Sequence, residues 1–326
     1  MTDTKIKTIG AGALVAIAAG LAAALLFVLA ARGSFITFAL GYFAPMPVMI
    51  AALGFGLSIG AAAALVGGAF IGYVFHPVLA VVYLASIGGP AALIAAAALL
   101  APPRDDRRGR DLAPTFALLA TALVAIVTIS GGIVYMAWRN GGFAAMIDMA
   151  ANEARPLIEE MLKSSRAPGS INADQLARYM VFAAPIGVAA SELITMSVNL
   201  WLAGRVSLIS GSLPRAWPSI ADDLAIPPLF GALFAAACGL VFLGGLPGAV
   251  SGVFAAAFVS AFALQGLAVA HVLTRGSSMR PALLFMLYAF IVLLPPWPFM
   301  LLAIVGLVDA AFHLRTRKSA TPDPIS

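Results

Sequence analysis

One carboxylate lies deep in an apolar stretch of this sequence. Glu192 occurs in the run ASELITMSVNLWLAGR, near the middle of a predicted membrane-spanning helix. A carboxylate at the centre of a bilayer is costly, so its side chain must face the protein interior or water. Thr195 and Asn199 follow on the same helical face. Gln265, deep in a second apolar run, is a candidate partner across the helices.

These four side chains support two interpretations. In the functional one they line a polar interior that binds a small ligand, or Glu192 acts as a proton-linked carboxylate. In the structural one they form a polar clamp between helices. An ionisable residue is harder to explain structurally than an amide, and we therefore expect Glu192, Thr195, Asn199 and Gln265 to form a ligand-binding site.

A second polar group lies near the carboxyl end of the last apolar run, in LLAIVGLVDAAFHLR. His313 follows Asp309 by one helical turn, and Arg315 is close to both. Charged side chains near the end of a spanning helix can reach the membrane interface. We expect Asp309, His313 and Arg315 to form an interfacial ion pair or anchor.

The sequence lacks the residue patterns of a metal site and of several classes of enzyme. Cys238 is the single cysteine, and the three histidines (His76, His271 and His313) are scattered, so no metal site is predicted. The sequence contains no HExxH, GxSxG or GxxxxGK[ST] motif. We predict no catalytic residues, no enzyme and no cofactor, and any ATP-driven role would need a separate ATPase chain.

The composition is that of a membrane protein. Of the 326 residues, 62% are hydrophobic and only 10% are charged, whereas soluble domains are about 25% charged. The net charge of +5 comes from basic residues in short loops, which are orientation signals, so it does not indicate nucleic-acid binding. Four tryptophans near predicted span ends suit interface aromatics: Trp138, Trp201, Trp217 and Trp297.

The hydropathy pattern predicts an all-α polytopic membrane protein, a bundle of about eight to ten transmembrane helices with one amphipathic extracytoplasmic helix. Five segments follow along the chain: N-terminal membrane helices (1–113), a fifth span (114–138), an extracytoplasmic amphipathic segment (139–178), C-terminal membrane helices (179–314) and a cytoplasmic tail (315–326). In the amphipathic segment one face is apolar, through Phe143, Ile147, Ala150, Ala154, Leu157 and Met161. We expect that helix to lie on the outer membrane surface or to cap the bundle.

Small residues recur at every fourth position in two predicted spans. One series comprises Gly56, Gly60, Ala64, Gly68 and Gly72, and the other begins with Gly248 and Gly252. Residues four apart stack on one helical face, and small faces let helices approach closely in lipid. We expect both series to be helix-packing surfaces.

The last apolar run is interrupted by PPWP at Pro295–Pro298. If this motif only kinks one span, the basic carboxyl-terminal tail lies outside; if it is a hairpin tip, the tail lies inside. The positive-inside rule favours the hairpin, at the cost of two short half-spans. The same rule places both termini in the cytoplasm, and we expect the protein in the bacterial cytoplasmic membrane.

Three parts of the chain carry a family resemblance. The run FAPMPVMIAALGFGLSIGAAAALVGGAFIGYVF resembles the proline-then-glycine-rich helices of energy-coupling-factor transporter S components. NLWLAGR followed by AWPSIADDLAIPP, with GLVD near a basic tail, resembles the YybS-type bacterial membrane proteins of unknown function. The resemblance implies a membrane subunit that binds a small molecule and docks on a partner. The chain differs from S components in its greater length and its added polar segment.

We therefore expect a small-molecule-binding, transport-type protein of the cytoplasmic membrane. Its expected partners are the lipid bilayer, a small-molecule ligand and an energising ATPase or another membrane protein. The alternative is a non-catalytic membrane scaffold whose basic loops or outer helix recruit a protein partner.

Overall fold

The computed structural model describes residues 2–30, 34–102, 110–164 and 171–315, with side chains from residue 10 onward. This part of the chain forms fourteen α-helices: α1 (Thr2–Ala30), α2 (Phe35–Gly41), α3 (Pro45–Phe55), α4 (Leu57–Val74), α5 (Pro77–Tyr83), α6 (Gly89–Leu100), α7 (Ala113–Arg139), α8 (Phe143–Ser164), α9 (Ala173–Ile209), α10 (Ile220–Asp223), α11 (Leu229–Leu240), α12 (Gly245–Leu273), α13 (Arg280–Leu293) and α14 (Trp297–Phe312). A π-helical turn, Leu84–Gly88, joins α5 to α6, and a 3₁₀ turn, Val241–Leu243, follows α11.

Seven helical stretches of the described residues are long and apolar enough to cross a membrane: Gly10–Ala30, Phe35–Phe55, Leu57–Val74, Pro77–Leu100, Ala113–Arg139, Ala173–Ile209 and Gly245–Leu273. Three further apolar helices are shorter, at Leu229–Leu243, Arg280–Leu293 and Trp297–Phe312. The predicted all-α polytopic fold is confirmed. Together with these three short helices, the described residues contain ten apolar helical segments, which is the upper end of the predicted range of eight to ten.

The first glycine series is not one continuous helical face. Gly56 lies between α3 and α4 with φ of +109°, a conformation open to glycine and strained for other residues. The prediction that Gly56 belongs to the packing helix is therefore wrong. The rest of the series does pack: Gly60 faces Ala52 of α3, Ala64 is buried, and Gly68 and Gly72 face the chain that follows α4.

The closest helix contacts involve other glycines. Helices α12 and α14 cross at Gly266 and Gly306, where a Cβ on either residue would stand 1.9 Å from a carbonyl oxygen of the facing helix. Helix α1 similarly meets α4 at Gly20, where a Cβ would lie 2.4 Å from the Ala63 carbonyl oxygen. Gly248 and Gly252 of the second predicted series face Val241 and Ile186. These contacts match the way small residues bring helices together in lipid.

The buried side chains form two main cores. One joins α1, α3, α4 and α6, and the other joins α7, α12 and α14. Helix α9 contributes to both, with Met196 and Ala203 in the first core and Leu193 in the second. Helix α9 therefore holds the amino-terminal and carboxyl-terminal halves of the bundle together.

The chain reverses at the PPWP motif. Helix α13 begins shortly after α12 ends, and α14 ends where Asp309 contacts Gln265 of α12. The start of α13 and the end of α14 therefore lie at the same end of the bundle, which favours the hairpin over a kinked single span. The two helices have 14 and 16 residues, short of the usual spanning length.

The amphipathic segment forms α8, which packs side by side with the first turns of α9. Asn172 caps α9 by accepting hydrogen bonds from the backbone N–H groups of Asp174 and Gln175. Ion pairs join Arg155 to Asp174 and Arg178 to Asp148. Helix α8 is thus anchored along the first turns of α9, and its placement on the outer membrane surface or as a cap of the bundle stays a prediction.

The buried face of α8 is rotated from the predicted stripe. Ala151 and Ile158 pack against Ala177, whereas Leu157 is 71% exposed and Met161 is also exposed. The apolar arc of α8 is wider than its contact with α9, so one flank of the arc remains uncovered. The arginine-rich loop at 103–109 and the tail beyond Arg315 lie outside the described residues, and the expectations placed on them stay predictions.

Candidate ligand-binding cavity

A cavity of about 740 Å³ opens at the end of the bundle where α7 begins and α9 and α12 end. Its walls are the first turns of α7, the last three turns of α9, the carboxyl-terminal part of α12 and residues 217–224. Tyr288 of α13 completes the lining. The volume lies within the range of about 300–1,000 Å³ that small-molecule sites usually have.

The lining is mainly apolar, with few polar groups. Leu118, Leu200, Leu264 and Ala268 provide much of the apolar surface. Among the described residues that line the cavity, Arg205 carries the only formal charge at neutral pH. A largely apolar cavity with a few placed polar groups is the usual character of a small-molecule site.

Two buried polar atoms of the lining have no hydrogen-bond partner within the described residues. They are the indole Nε1 of Trp217 and the hydroxyl Oγ of Ser197. Buried polar groups are hydrogen-bonded in most proteins, and an unpaired group calls for an explanation such as a bound molecule or water. Both residues line the cavity, so two unpaired donors lie buried in its wall.

His271 faces the same space, but both of its ring nitrogens are engaged. Its Nδ1 lies 2.9 Å from the Leu267 carbonyl oxygen, and its Nε2 lies 3.3 Å from the Tyr288 hydroxyl. In the tautomer that satisfies both contacts, Nδ1–H donates to the carbonyl and Nε2 accepts from Tyr288. His271 therefore has no ring nitrogen free for an occupant.

The cavity is closed on one side by residues 215–226, and Arg215 anchors the start of this segment. Its guanidinium donates to both carboxylate oxygens of Asp111, at 2.8 and 2.7 Å. It also donates to the carbonyl oxygens of Ala98 and Ala101, at the end of α6. Such a bidentate pair fixes geometry as well as charge, so the segment is tied to α6 and α7.

A second pair anchors the middle of the same segment. Arg275, just past α12, donates to both carboxylate oxygens of Asp222, at 2.6 and 2.9 Å. These hydrogen bonds, together with one from Ser219, hold the pKa of the Asp222 carboxyl below its usual range despite partial burial. Asp223 accepts backbone N–H groups from Asp111 and Ser219. The Asp223 carboxylate therefore stabilises this segment by hydrogen bonds to its backbone and to Asp111.

The third anchor is the polar group at the end of α14. Asp309 and Arg315 are 3% and 5% exposed, and Arg315 Nη2 lies 2.7 Å from Asp309 Oδ2. Arg315 also donates to the carbonyl oxygens of Ala221 and Leu224. The predicted ion pair between Asp309 and Arg315 is therefore present, and it lies inside the protein, where its partners replace water. Its position at the membrane interface stays a prediction.

Gln265 belongs to this third anchor. Its amide donates to Asp309 Oδ2 at 2.8 Å and accepts from the Ile226 backbone N–H at 2.7 Å. Its suggested pairing with Glu192 is therefore wrong. His313 ends α14 with φ of +54°, in the left-handed conformation that closes many helices.

Glu192, Thr195 and Asn199 lie away from the cavity. Asn199 Nδ2 donates to the carbonyl oxygens of Tyr42 and Thr195, both at 2.8 Å, and so joins α9 to the end of α2. Glu192 lies on the same face of α9 as Asn199, and one of its buried carboxylate oxygens has no partner within the described residues. Of the four residues expected in one ligand site, Asn199 and Gln265 therefore make two separate structural contacts, and the Glu192 carboxylate belongs to neither of them.

The sequence contains only a weak indication that Trp217 and Arg205 line a cavity. Trp217 was assigned to the membrane interface, but its ring packs on Gly204, where a Cβ would lie 2.1 Å from the indole. Arg205 directly follows Gly204 and was counted only as a loop charge. The glycine–arginine pair in NLWLAGR, followed by AWP, is the pattern that could have indicated this contact.

Comparison of the whole chain with protein-family models identifies the family. The family model DUF2232, whose description is a predicted membrane protein, matches residues 21–310. The chain belongs to the DUF2232 family. All the residues that line the cavity fall within the DUF2232 match, which ends one residue after Asp309. Searches of curated proteins and of solved structures found no match to the chain.

No set of three or more His, Cys, Asp or Glu side chains within the described residues is arranged to hold a metal ion. The groups that could contact a bound molecule are therefore the polar atoms of the cavity. The lining is mainly apolar, carries one positive charge and has two unpaired donors buried in its wall, an arrangement suited to binding.

Proposed function

We propose that this protein is a non-catalytic, transport-type membrane protein that binds a small, largely apolar molecule in the cavity between α7, α9, α12 and α13. The observation that carries the proposal is the cavity itself, with the unpaired Trp217 Nε1 and Ser197 Oγ in its wall. Empty apolar cavities lower stability, whereas an occupant that binds the folded state raises it. Three arginine–aspartate pairs also position the segment that closes this space.

The proposal is tested by filling the cavity. Ser197→Phe adds an aromatic ring at a residue that lines the space. The matched control, Ala236→Phe, adds a phenyl ring to an exposed position of α11. Native mass spectrometry of protein purified in mild detergent from native membranes should show a small-molecule adduct on the unmodified chain and on the control.

The adduct should fall at least tenfold in the Ser197→Phe variant, with helix content and elution volume unchanged. Equal retention by the variant and the unmodified chain would contradict the proposal. Absence of an adduct on the unmodified chain after gentle extraction would also contradict the proposal. The control separates a filled cavity from a general effect of the added ring.

The scaffold role remains a second candidate because of α8. Leu157 and Met161 are exposed on a helix that otherwise exposes mainly polar side chains, and uncovered apolar surface often marks a binding face. In the same purification this role predicts a stoichiometric protein partner that Leu157→Glu removes and Ser197→Phe retains. An energising ATPase, the partner class expected for transport, would be found in the same experiment.

A further inference from the structure

Arg205 is the one charged side chain of the cavity wall, and its charge has no acidic partner within the described residues. The acids nearby are already engaged: Asp111 pairs with Arg215, Asp222 with Arg275 and Asp309 with Arg315. Asp223 accepts backbone N–H groups and lies outside the cavity lining. A positive charge is therefore available at the cavity, and a cationic occupant would be repelled by it.

Along α9, the charged residue of the cavity wall lies near one end and apolar side chains follow it towards Ser197. Ser197 and Arg205 are eight residues apart on that helix, which corresponds to about 12 Å along the axis. Leu200 and Leu264 are among the apolar side chains that line the cavity together with them. An occupant that reaches from Arg205 to Ser197 would therefore have a charged end and an apolar body.

The rim of the cavity on α9 is apolar as well. Val198, Trp201 and Leu208 are partly exposed and line the cavity on the same side of the helix as Arg205. In a membrane such side chains face hydrocarbon, and arginine near a helix end extends its head towards the interface. An amphipathic molecule could enter from the lipid with its head at the interface and its chain already in an apolar medium.

We propose that the cavity binds an anionic amphiphile, with its acidic head group at Arg205 and its apolar chain directed towards Ser197. This inference rests on the proposed function and adds the chemical class of the ligand. Arg205 supplies charge-assisted hydrogen bonds to a carboxylate or phosphate, and the Trp217 indole supplies a further donor. The bilayer and a pool of free fatty acids are both sources of such a molecule.

The test uses the two tryptophans of the cavity as reporters. In full-length protein carrying Trp138→Phe and Trp297→Phe, the remaining indoles are Trp201 and Trp217, both in the cavity wall. Dibromostearate and its methyl ester carry the same quenching chain, with and without the acidic head. Dibromostearate should quench the fluorescence at a concentration about tenfold or more below that of the ester.

Arg205→Gln should remove this preference for the acid and leave quenching by the ester unchanged. Arg205→Lys should retain most of the preference, because it keeps the charge. Arg139→Gln is the matched control, since Arg139 is an exposed arginine at the other end of α7. Arg205 is itself exposed, so none of these variants disturbs the buried core.

Each outcome has a distinct meaning. Equal quenching by acid and ester, or a preference that survives in Arg205→Gln, overturns the inference and leaves the proposed function standing. Absence of quenching by both probes contradicts the proposed function as well. Competition by phosphatidylglycerol and not by phosphatidylcholine supports a bilayer source, whereas competition by unbrominated stearate alone supports free fatty acid.

Discussion

At the scale of single residues, Asp309–Arg315 is the most deeply buried ion pair among the described residues. Its two charges are satisfied by each other, by Gln265 and by two carbonyl oxygens of the segment that closes the cavity. Removing one partner of a buried pair leaves the other charge without compensation, which costs about 3–5 kcal/mol. Asp309→Ala should lower the free energy of unfolding by about this amount, measured by denaturation in detergent.

The matched control is Asp222→Ala. It removes the same group from a bidentate pair whose side chains are both 44% exposed, and exposed pairs contribute about 0–1 kcal/mol. Replacing both members of the buried pair, as in Asp309→Ala with Arg315→Met, should recover much of the loss. Equal effects of the Asp309 and Asp222 variants would show that burial does not determine the cost.

The same residues show how far sequence reasoning reaches. Gln265 was expected among the polar side chains inside the bundle and is buried, and Asp309, which was expected at the membrane interface in an ion pair with Arg315, is buried as well. Their partners could not be inferred, because they come from the 215–226 segment, whose path depends on tertiary packing. Arg205 was overlooked for a related reason, since its significance lies in the absence of a neighbouring acid.

At the scale of helices, close approach depends on the glycines at crossing points. At Gly306 a Cβ would stand 1.9 Å from the Phe262 carbonyl oxygen, so Gly306→Ala must push α14 away from α12. Overpacking of this kind typically costs about 1–3 kcal/mol. We expect a lower free energy of unfolding in detergent for Gly306→Ala.

Gly132 provides the control for this prediction. It lies inside α7 and has open space around the position of a Cβ. Gly132→Ala should be neutral or stabilising by up to about 1 kcal/mol, because alanine favours the helix. A loss of stability in Gly132→Ala as large as in Gly306→Ala would contradict the packing explanation.

Most helices could be predicted from hydropathy because lipid requires each spanning segment to satisfy its own backbone hydrogen bonds. The pairing of helices was harder to predict. Glycine and alanine are frequent throughout the chain, and a repeat at every fourth residue does not show which helix it faces. The crossing at Gly266 and Gly306 involves one glycine from each of two spans, so no repeat within either span indicates it.

At the scale of the whole molecule, the cavity lies where α7, α9 and α12 meet the 215–226 segment. Helix α9 belongs to both main cores, and the segment after it is fixed by pairs to α7, α12 and α14. A molecule bound in the cavity therefore contacts elements that join the two halves of the bundle. This placement gives a bound ligand a physical route to influence how the halves pack.

The central claim is that this cavity holds a small molecule in the membrane. The most direct measurement is a cryo-electron microscopy map of the protein extracted with its native lipid and held in nanodiscs. We expect elongated density from Arg205 past Trp217 to Ser197, within hydrogen-bond distance of Trp217 Nε1. A closed or empty cavity, with Trp217 Nε1 and Ser197 Oγ bonded to other protein groups, would contradict it.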